Sequence, residues 1–256
     1  MNHSKIVLLA GKGTSTNILY NALKNDLTID TIIVEEPVGK RTFLKKRIKK
    51  LGLWRVSGQI LFQFFIVKIL NLSSGKRKKA ILQQFSMDNS ALPLEKIKQV
   101  VSVNDETCLQ LLHKIGPQLV IVNGTRIISR RILDAVSAPF INMHAGITPQ
   151  YRGVHGAYWA LVNNDEKNCG VTIHLVDAGI DTGGVICQKT ITVDRTDNFV
   201  TYPLLQLGEG IPLMKQAITD ILQNHLVRIE ASKQSRLWSH PTIWQYLFYR
   251  IGKNKR

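Results

Sequence analysis

Lys5-Ile6-Val7-Leu8-Leu9-Ala10-Gly11-Lys12-Gly13-Thr14 is an apolar run closed by a glycine turn, and Ile18, Leu19, Ala22 and Leu23 then recur at helical spacing. That order predicts strand, turn, helix. Ile29 to Val34 is a second apolar run and completes a βαβ unit. Further along, Val100 to Val103 is expected as a strand, Asp105 to Ile115 as a helix capped near Asn104, and Leu119 to Val122 as another strand. Alternation of this kind predicts an α/β fold with a doubly wound, mainly parallel sheet and helices on both faces. Ligands of such sheets bind outside the carboxyl ends of the strands, where Gly11, Asn123 and the stretch from Asn142 to His144 fall.

A chain of 256 residues fits one main domain. Cys108, Cys169 and Cys187 are odd in number and isolated, which argues against a disulfide framework and against structural zinc. His113, His155 and His240 share no ligand spacing, so no metal is expected. No apolar leader precedes Lys5, so a reducing, cytoplasmic setting is expected, with peripheral attachment at the inner face of the membrane as an option.

The formal charge is +16 and the excess is uneven. Lys40, Arg41, Lys45, Lys46, Arg47, Lys49, Lys50, Lys76, Arg77, Lys78 and Lys79 bracket the apolar stretch Ile60 to Leu70. Gln63 and Lys68 interrupt that stretch, which is shorter than the roughly 20 residues a bilayer requires, so a spanning helix is not expected. Three readings of the basic region stay open: a solvated face beside a buried helix, an interfacial segment meeting anionic lipid, and a nucleic-acid surface. The last is disfavoured because no RNA-reading module is visible. The tail from Trp244 through Tyr246, Leu247, Phe248, Tyr249 and Arg250 to Lys253, Lys255 and Arg256 has similar character. Ser73-Ser74-Gly75 could be a flexible break.

The chemistry concentrates in Ile141-Asn142-Met143-His144-Ala145-Gly146, in Pro149-Gln150-Tyr151-Arg152-Gly153, and in Val176-Asp177-Ala178-Gly179-Ile180-Asp181-Thr182-Gly183-Gly184. Asn142 and His144 are two apart at the end of an extended run from Ala138, so one amide and one imidazole face the same side. A carboxylate on the glycine-rich turn can orient the imidazole and stabilise its charged form. Asp177 and Asp181 compete for that role. Gly11-Lys12-Gly13-Thr14 could cradle a phosphate at a helix N-terminus, or form a plain tight turn.

The order Asn-x-His, Pro-x-Tyr-Arg-Gly, Val-Asp-x-Gly-x-Asp-Thr-Gly closely resembles the 10-formyltetrahydrofolate-dependent formyltransferases. The resemblance runs over residues 5–34 and 100–218. It implies Asn142, His144 and Asp181 as catalytic residues, selecting Asp181 over Asp177 because Thr182-Gly183-Gly184 follows it. It implies a pterin pocket with Arg126, Ile127 and Ile128 on one wall and Val176, Asp177 and Gly179 on the other. It also implies acceptor contacts at Gly11, Lys12, Gly13, Thr14 and Arg152, and 10-formyltetrahydrofolate as cosubstrate. His174 is read either as lining the site or as a packed strand residue.

The expected organisation is a catalytic domain over 1–225 with a basic, partly helical insertion at 36–94, then a short basic aromatic tail over 226–256. The short tail leaves no room for the tRNA-binding domain of methionyl-tRNA formyltransferases, and the insertion departs from the compact purine-pathway enzyme. The phrasing Val122-Asn123-Gly124-Thr125-Arg126 and Tyr151-Arg152-Gly153-Val154-His155-Gly156 is similar to formyltransferases of surface-polysaccharide pathways. The expected acceptor is the primary amine of an amino sugar on a nucleotide or lipid carrier. Glycinamide ribonucleotide, methionyl-tRNA and a non-catalytic folate-binding or membrane scaffold are the alternatives. The residues do not indicate an oligomeric state.

Overall fold

The computed structural model of the chain describes residues 5–230 and 234–252. The tail cations Lys253, Lys255 and Arg256 lie outside the described residues, as do residues 1–4. The strands are β1 (Ile6–Gly11), β2 (Ile29–Glu35), β3 (Ile97–Val100), β4 (Leu119–Asn123), β5 (Phe140–His144), β6 (Arg152–Gly153), β7 (Gly170–Leu175), β8 (Val185–Thr190) and β9 (Leu237–Trp238). Seven of them form one sheet in the order β3-β2-β1-β4-β5-β7-β8, and β6 pairs with β9. The pairings from β3 to β5 are parallel, while β5–β7 and β7–β8 are antiparallel.

The helices are α1 (Thr14–Leu23), α2 (Lys40–Leu51), α3 (Leu53–Ser73), α4 (Gly75–Gln84), α5 (Glu106–Ile115), α6 (Arg130–Leu133), α7 (Gly156–Val162), α8 (Tyr202–Leu222) and α9 (Ile243–Leu247). The central strands are apolar on both faces because both are covered. Ile6, Leu8 and Ala10 of β1 pack with Ile18 and Leu19 of α1 and with Met214 and Ile218 of α8. Val7 and Leu9, pointing the other way, pack with Cys108 and Leu112 of α5 and with Ile132 of α6.

Two boundaries differ from expectation. β3 lies at Ile97–Val100, and Val101 to Val103 form the turn after it. The first residue of α5 is Glu106, because Asp105 caps it: the Cys108 N–H donates to Asp105 Oδ1 at 2.8 Å.

The basic region folds onto the core. Phe62 of α3 and Ile81 of α4 are fully buried. Phe62 meets Phe199 edge to face at 4.8 Å between ring centroids. Arg77 grips the buried Asp197 with two hydrogen bonds, 2.8 and 2.7 Å. The Ser73-Ser74-Gly75 junction is anchored rather than loose, since Asn198 Nδ2 donates to Ser74 Oγ at 2.9 Å. Gly58 is required where α3 crosses the tail, because a Cβ there would lie 2.2 Å from the Trp244 ring.

The expected length of the apolar segment is corrected. Helical structure continues on both sides of Ile60 to Leu70, so α3 has 21 residues and contains an 18-residue window of mean hydropathy 1.4, long and apolar enough by length and composition to cross a membrane. It nonetheless lies on the protein, with Val56, Gln59 and Phe62 buried beneath it.

Candidate active site

β5 is the strand at which the sheet changes from parallel to antiparallel: β4 runs alongside it and β7 returns against its other edge. Asn142 stands opposite His174 in that register. Asn142 Nδ2 and His174 Nε2 are 3.2 Å apart. His174 Nδ1–H donates to the Leu175 carbonyl at 2.7 Å, which leaves Nε2 to accept one N–H of the Asn142 amide. The other N–H of that amide remains for a ligand in the cavity that Asn142 lines.

His144 is buried at the end of β5. Its Nδ1 lies 3.3 Å from Asp181 Oδ2, and its Nε2 lies 2.8 Å from the Tyr151 carbonyl oxygen. A neutral imidazole can donate to only one of these acceptors. Two acceptors around one ring therefore prepare it to take up a proton. Burial pushes the His144 pKa below its ordinary value, and the charge of Asp181 and the Tyr151 carbonyl oppose that push.

Asp181 occupies the left-handed region at φ +51°. The Gly153 N–H donates to its Oδ2 at 2.9 Å, and Oδ1 lies 3.7 Å from His174 Nε2. Burial raises the Asp181 pKa. His174 and His144 in their protonated forms, with the Gly153 N–H, outweigh burial and hold it below the usual carboxylate value. Asp181 is accordingly ionised at neutral pH, beside the buried His144 imidazole.

Asp177 does different work. Its Oδ1 accepts from the Gly179 N–H at 3.0 Å and from Thr182 Oγ1 at 2.6 Å, closing the turn that presents Asp181.

One cavity of about 350 Å³ collects Asn142, His144 and Asp181 together with Arg126, Ile127, Ile128, Val176, Asp177 and Gly179. Its size lies within the range of small-molecule sites, roughly 300–1,000 Å³. The Arg126 side chain turns away from it, donating to the carbonyls of Val101 and Glu36 at 2.8 and 2.6 Å and pairing with Glu35 at 3.2 Å. That anchors the 124–128 segment as a wall.

The glycine turn and Arg152 lie outside the set of residues that line this cavity. Lys12, Gly13 and Thr14 are exposed beside the cavity and do not line it. Gly11 backs onto Gly124, whose carbonyl oxygen a Cβ would meet at 2.4 Å. Arg152 Nη1 donates to the Ile180 carbonyl at 3.0 Å, bracing the Asp181 turn, while its buried Nε has no hydrogen-bond partner among the described residues.

Sequence reasoning left His174 undecided and missed the Tyr151 carbonyl, the Gly153 N–H and Gly146. Alternation along β7 carried the signal for His174, since it shares a face with Thr172 and faces β5. Backbone groups leave no such trace except through glycine. A Cβ on Gly146 would lie 2.4 Å from the Tyr151 oxygen and 2.7 Å from His144 Nε2. Among the described residues, no group of three or more His, Cys, Asp or Glu could hold a metal ion.

Over 132 residues the chain is 36% identical to methionyl-tRNA formyltransferase of Thermodesulfovibrio yellowstonii, an alignment covering 51% of this chain and 40% of that protein. The chain thus spans less than half the length of the curated relatives it matches. The fold is shared with a sugar N-formyltransferase from Shewanella sp. (TM-score 0.58, 16% identity, 91% of this chain and 76% of that one). It is also shared with an N-formyltransferase from Helicobacter canadensis in complex with folinic acid and dTDP-3-aminofucose (TM-score 0.56, 19% identity, 91% and 70%). Residues 64–203, more than half the chain, match the formyl transferase family, and the chain belongs to that family.

Proposed function

We propose that the protein transfers a formyl group from 10-formyltetrahydrofolate to the primary amine of an amino sugar. The observation that carries this reading is the convergence of Asn142, His144 and Asp181 on one cavity, with the His144–Asp181 contact at 3.3 Å.

The folate, when bound, supplies the formyl carbon. Its pterin would lie between the backbone of Arg126 to Ile128 and the turn from Val176 to Gly179. The neutral amine attacks that carbon, a C–N bond forms, and the carbonyl oxygen gains negative charge. The free Asn142 N–H donates to that oxygen, a contribution of about 2.7–4 kcal/mol in comparable sites. His144, with Asp181 behind it, takes part in moving the amine proton, a role worth about 10²–10⁴ in rate. As the bond to the folate nitrogen breaks, that nitrogen receives a proton, leaving tetrahydrofolate and the formamide.

The amino-sugar assignment draws support from the neighbour crystallised with folinic acid and dTDP-3-aminofucose. Methionyl-tRNA is the second reading, favoured by the 36% identity to a methionyl-tRNA formyltransferase. The test incubates protein with 10-formyltetrahydrofolate and a panel of nucleotide-linked amino sugars, glycinamide ribonucleotide and methionyl-tRNA. Tetrahydrofolate release and product mass are followed. A formyl mass added to one sugar is the expected result; transfer only to methionyl-tRNA or to glycinamide ribonucleotide would overturn the assignment.

A further inference from the structure

Between Glu36 and Asp88 the chain carries no acidic residue and thirteen cations: Lys40, Arg41, Lys45, Lys46, Arg47, Lys49, Lys50, Arg55, Lys68, Lys76, Arg77, Lys78 and Lys79. The same segment contains α3, whose inner side is buried and whose outer side is apolar. Trp54 is 75% exposed, Phe64 71%, Phe65 57%, Ile69 61% and Leu72 78%. Phe65, Ile69 and Leu72, together with the exposed Leu61, recur every three or four residues and so share one side of the helix, with Phe64 beside them. The adjoining tail helix adds Phe248, 62% exposed, and Trp244, which stacks on Trp54 at 4.6 Å between centroids. Exposed aromatics in such a row are uncommon on a soluble monomer unless the surface is used.

We propose that α3 and the lysines of α2 form a docking face for an anionic bilayer, with the aromatics entering the headgroup boundary and the cations meeting lipid phosphates. Charge selects this occupant. A second copy of a chain of net charge +16 would bring cation against cation over the same segment. An anionic surface instead matches Lys45, Lys46, Lys49 and Lys50, all exposed on α2, and Lys68, which emerges within the apolar row.

The helix lies on the membrane rather than crossing it. Crossing would withdraw Phe62 from the core and strip Gln59 of its bonds, accepting from Arg47 Nε at 3.0 Å and donating to the His240 carbonyl at 2.7 Å.

The docked helix is also joined to the catalytic carboxylate. Arg55 donates to Ser239 Oγ at 3.0 Å, the neighbouring Trp238 pairs with Gly153, and the Gly153 N–H holds Asp181. A membrane-bound enzyme could therefore meet an acceptor carried on a lipid phosphate. That consequence rests on the amino-sugar reading; the docking does not.

The test is co-sedimentation of the whole protein with phosphatidylcholine vesicles, with and without phosphatidylglycerol, at low and high salt. Binding only to the anionic vesicles, released by salt, is expected. Each of Lys45→Gln, Lys46→Gln, Lys49→Gln and Lys50→Gln should weaken it about fivefold, the factor equivalent to about 1 kcal/mol per cation. Phe64→Ser with Phe65→Ser should weaken it at unchanged thermal stability, since both side chains are exposed. Equal behaviour toward the two vesicle types, absence of binding, or a Phe64/Phe65 variant that dissociates a dimer while vesicle binding persists would each overturn the proposal. The readout is independent of formyl transfer, so its failure and failure of the catalytic reading are separable.

Discussion

Asn142 and His174 stand opposite each other across the antiparallel β5–β7 pair, joined at 3.2 Å, and His174 is also 3.7 Å from Asp181. One imidazole thus touches both the amide that would meet the oxyanion and the carboxylate that orients His144. Asn142→Ala should lower kcat by about 10²–10³, the cost of losing one oxyanion donor. His174→Ala should lower kcat by roughly tenfold to a hundredfold through misplacement of the amide, leaving KM for the folate near its original value. A rise in KM with kcat unchanged would show that His174 serves binding instead.

The two acids of the 177–184 turn should separate cleanly in kinetics. Asp181→Asn removes the charge beside His144 and should cut kcat by about 10²–10⁴ at preserved stability, because the amide can still accept from Gly153. Asp177→Asn weakens the turn bonds to Gly179 and Thr182 and should act mainly on folate KM and on thermal stability. Equal kcat losses with equal stability would contradict the division of roles. Steady-state kinetics and thermal melts on both variants decide it.

The fold was legible where burial on both faces forces unbroken apolar runs, as in Ile6 to Ala10 and Leu119 to Val122. The convergence of Asn142, His144 and Asp181 on one cavity was legible because all three are side chains in a motif order. β3 was misplaced because its residues Ile97-Lys98-Gln99-Val100 are half exposed at the sheet edge and read as polar. The Asn142–His174 contact depends on which strands neighbour each other, a tertiary choice that no local period encodes. The length of α3 was underestimated because Gln59, Gln63 and Lys68 interrupt the apolar count without interrupting the helix.

Gly146 sets the space behind the His144 imidazole. Gly146→Ala would put a methyl 2.4 Å from the Tyr151 oxygen and 2.7 Å from His144 Nε2, contacts that the backbone cannot absorb without shifting. A destabilisation of about 1–3 kcal/mol is expected. Activity should fall further than this stability loss explains, because His144 is displaced from its 2.8 Å contact with Tyr151. Denaturant unfolding and single-turnover rates on the same variant measure the two effects; an active, stable Gly146→Ala protein would refute the packing argument.

His155 and His240 give the protein a distinct acid sensitivity. They are half-buried against each other, His155 Nε2 3.1 Å from His240 Nδ1, and Gln63 Nε2 approaches the same His240 nitrogen at 3.3 Å. Burial, reinforced by His240, pushes the His155 pKa down to about 3, and burial, reinforced by Arg47, pushes that of His240 down to about 4. Both rings are neutral in the folded protein until well below the ordinary value near 6.5. The unfolded chain therefore binds more protons in that window, so stability falls as pH drops from about 6.5 toward 4. Each excluded proton contributes a slope of about 1.4 kcal/mol per pH unit. His240→Gln keeps a polar side chain against His155 and should flatten the curve by about one such slope. Urea unfolding of both proteins between neutral and mildly acid pH checks this, and parallel curves would show that the pair does not set the acid limit.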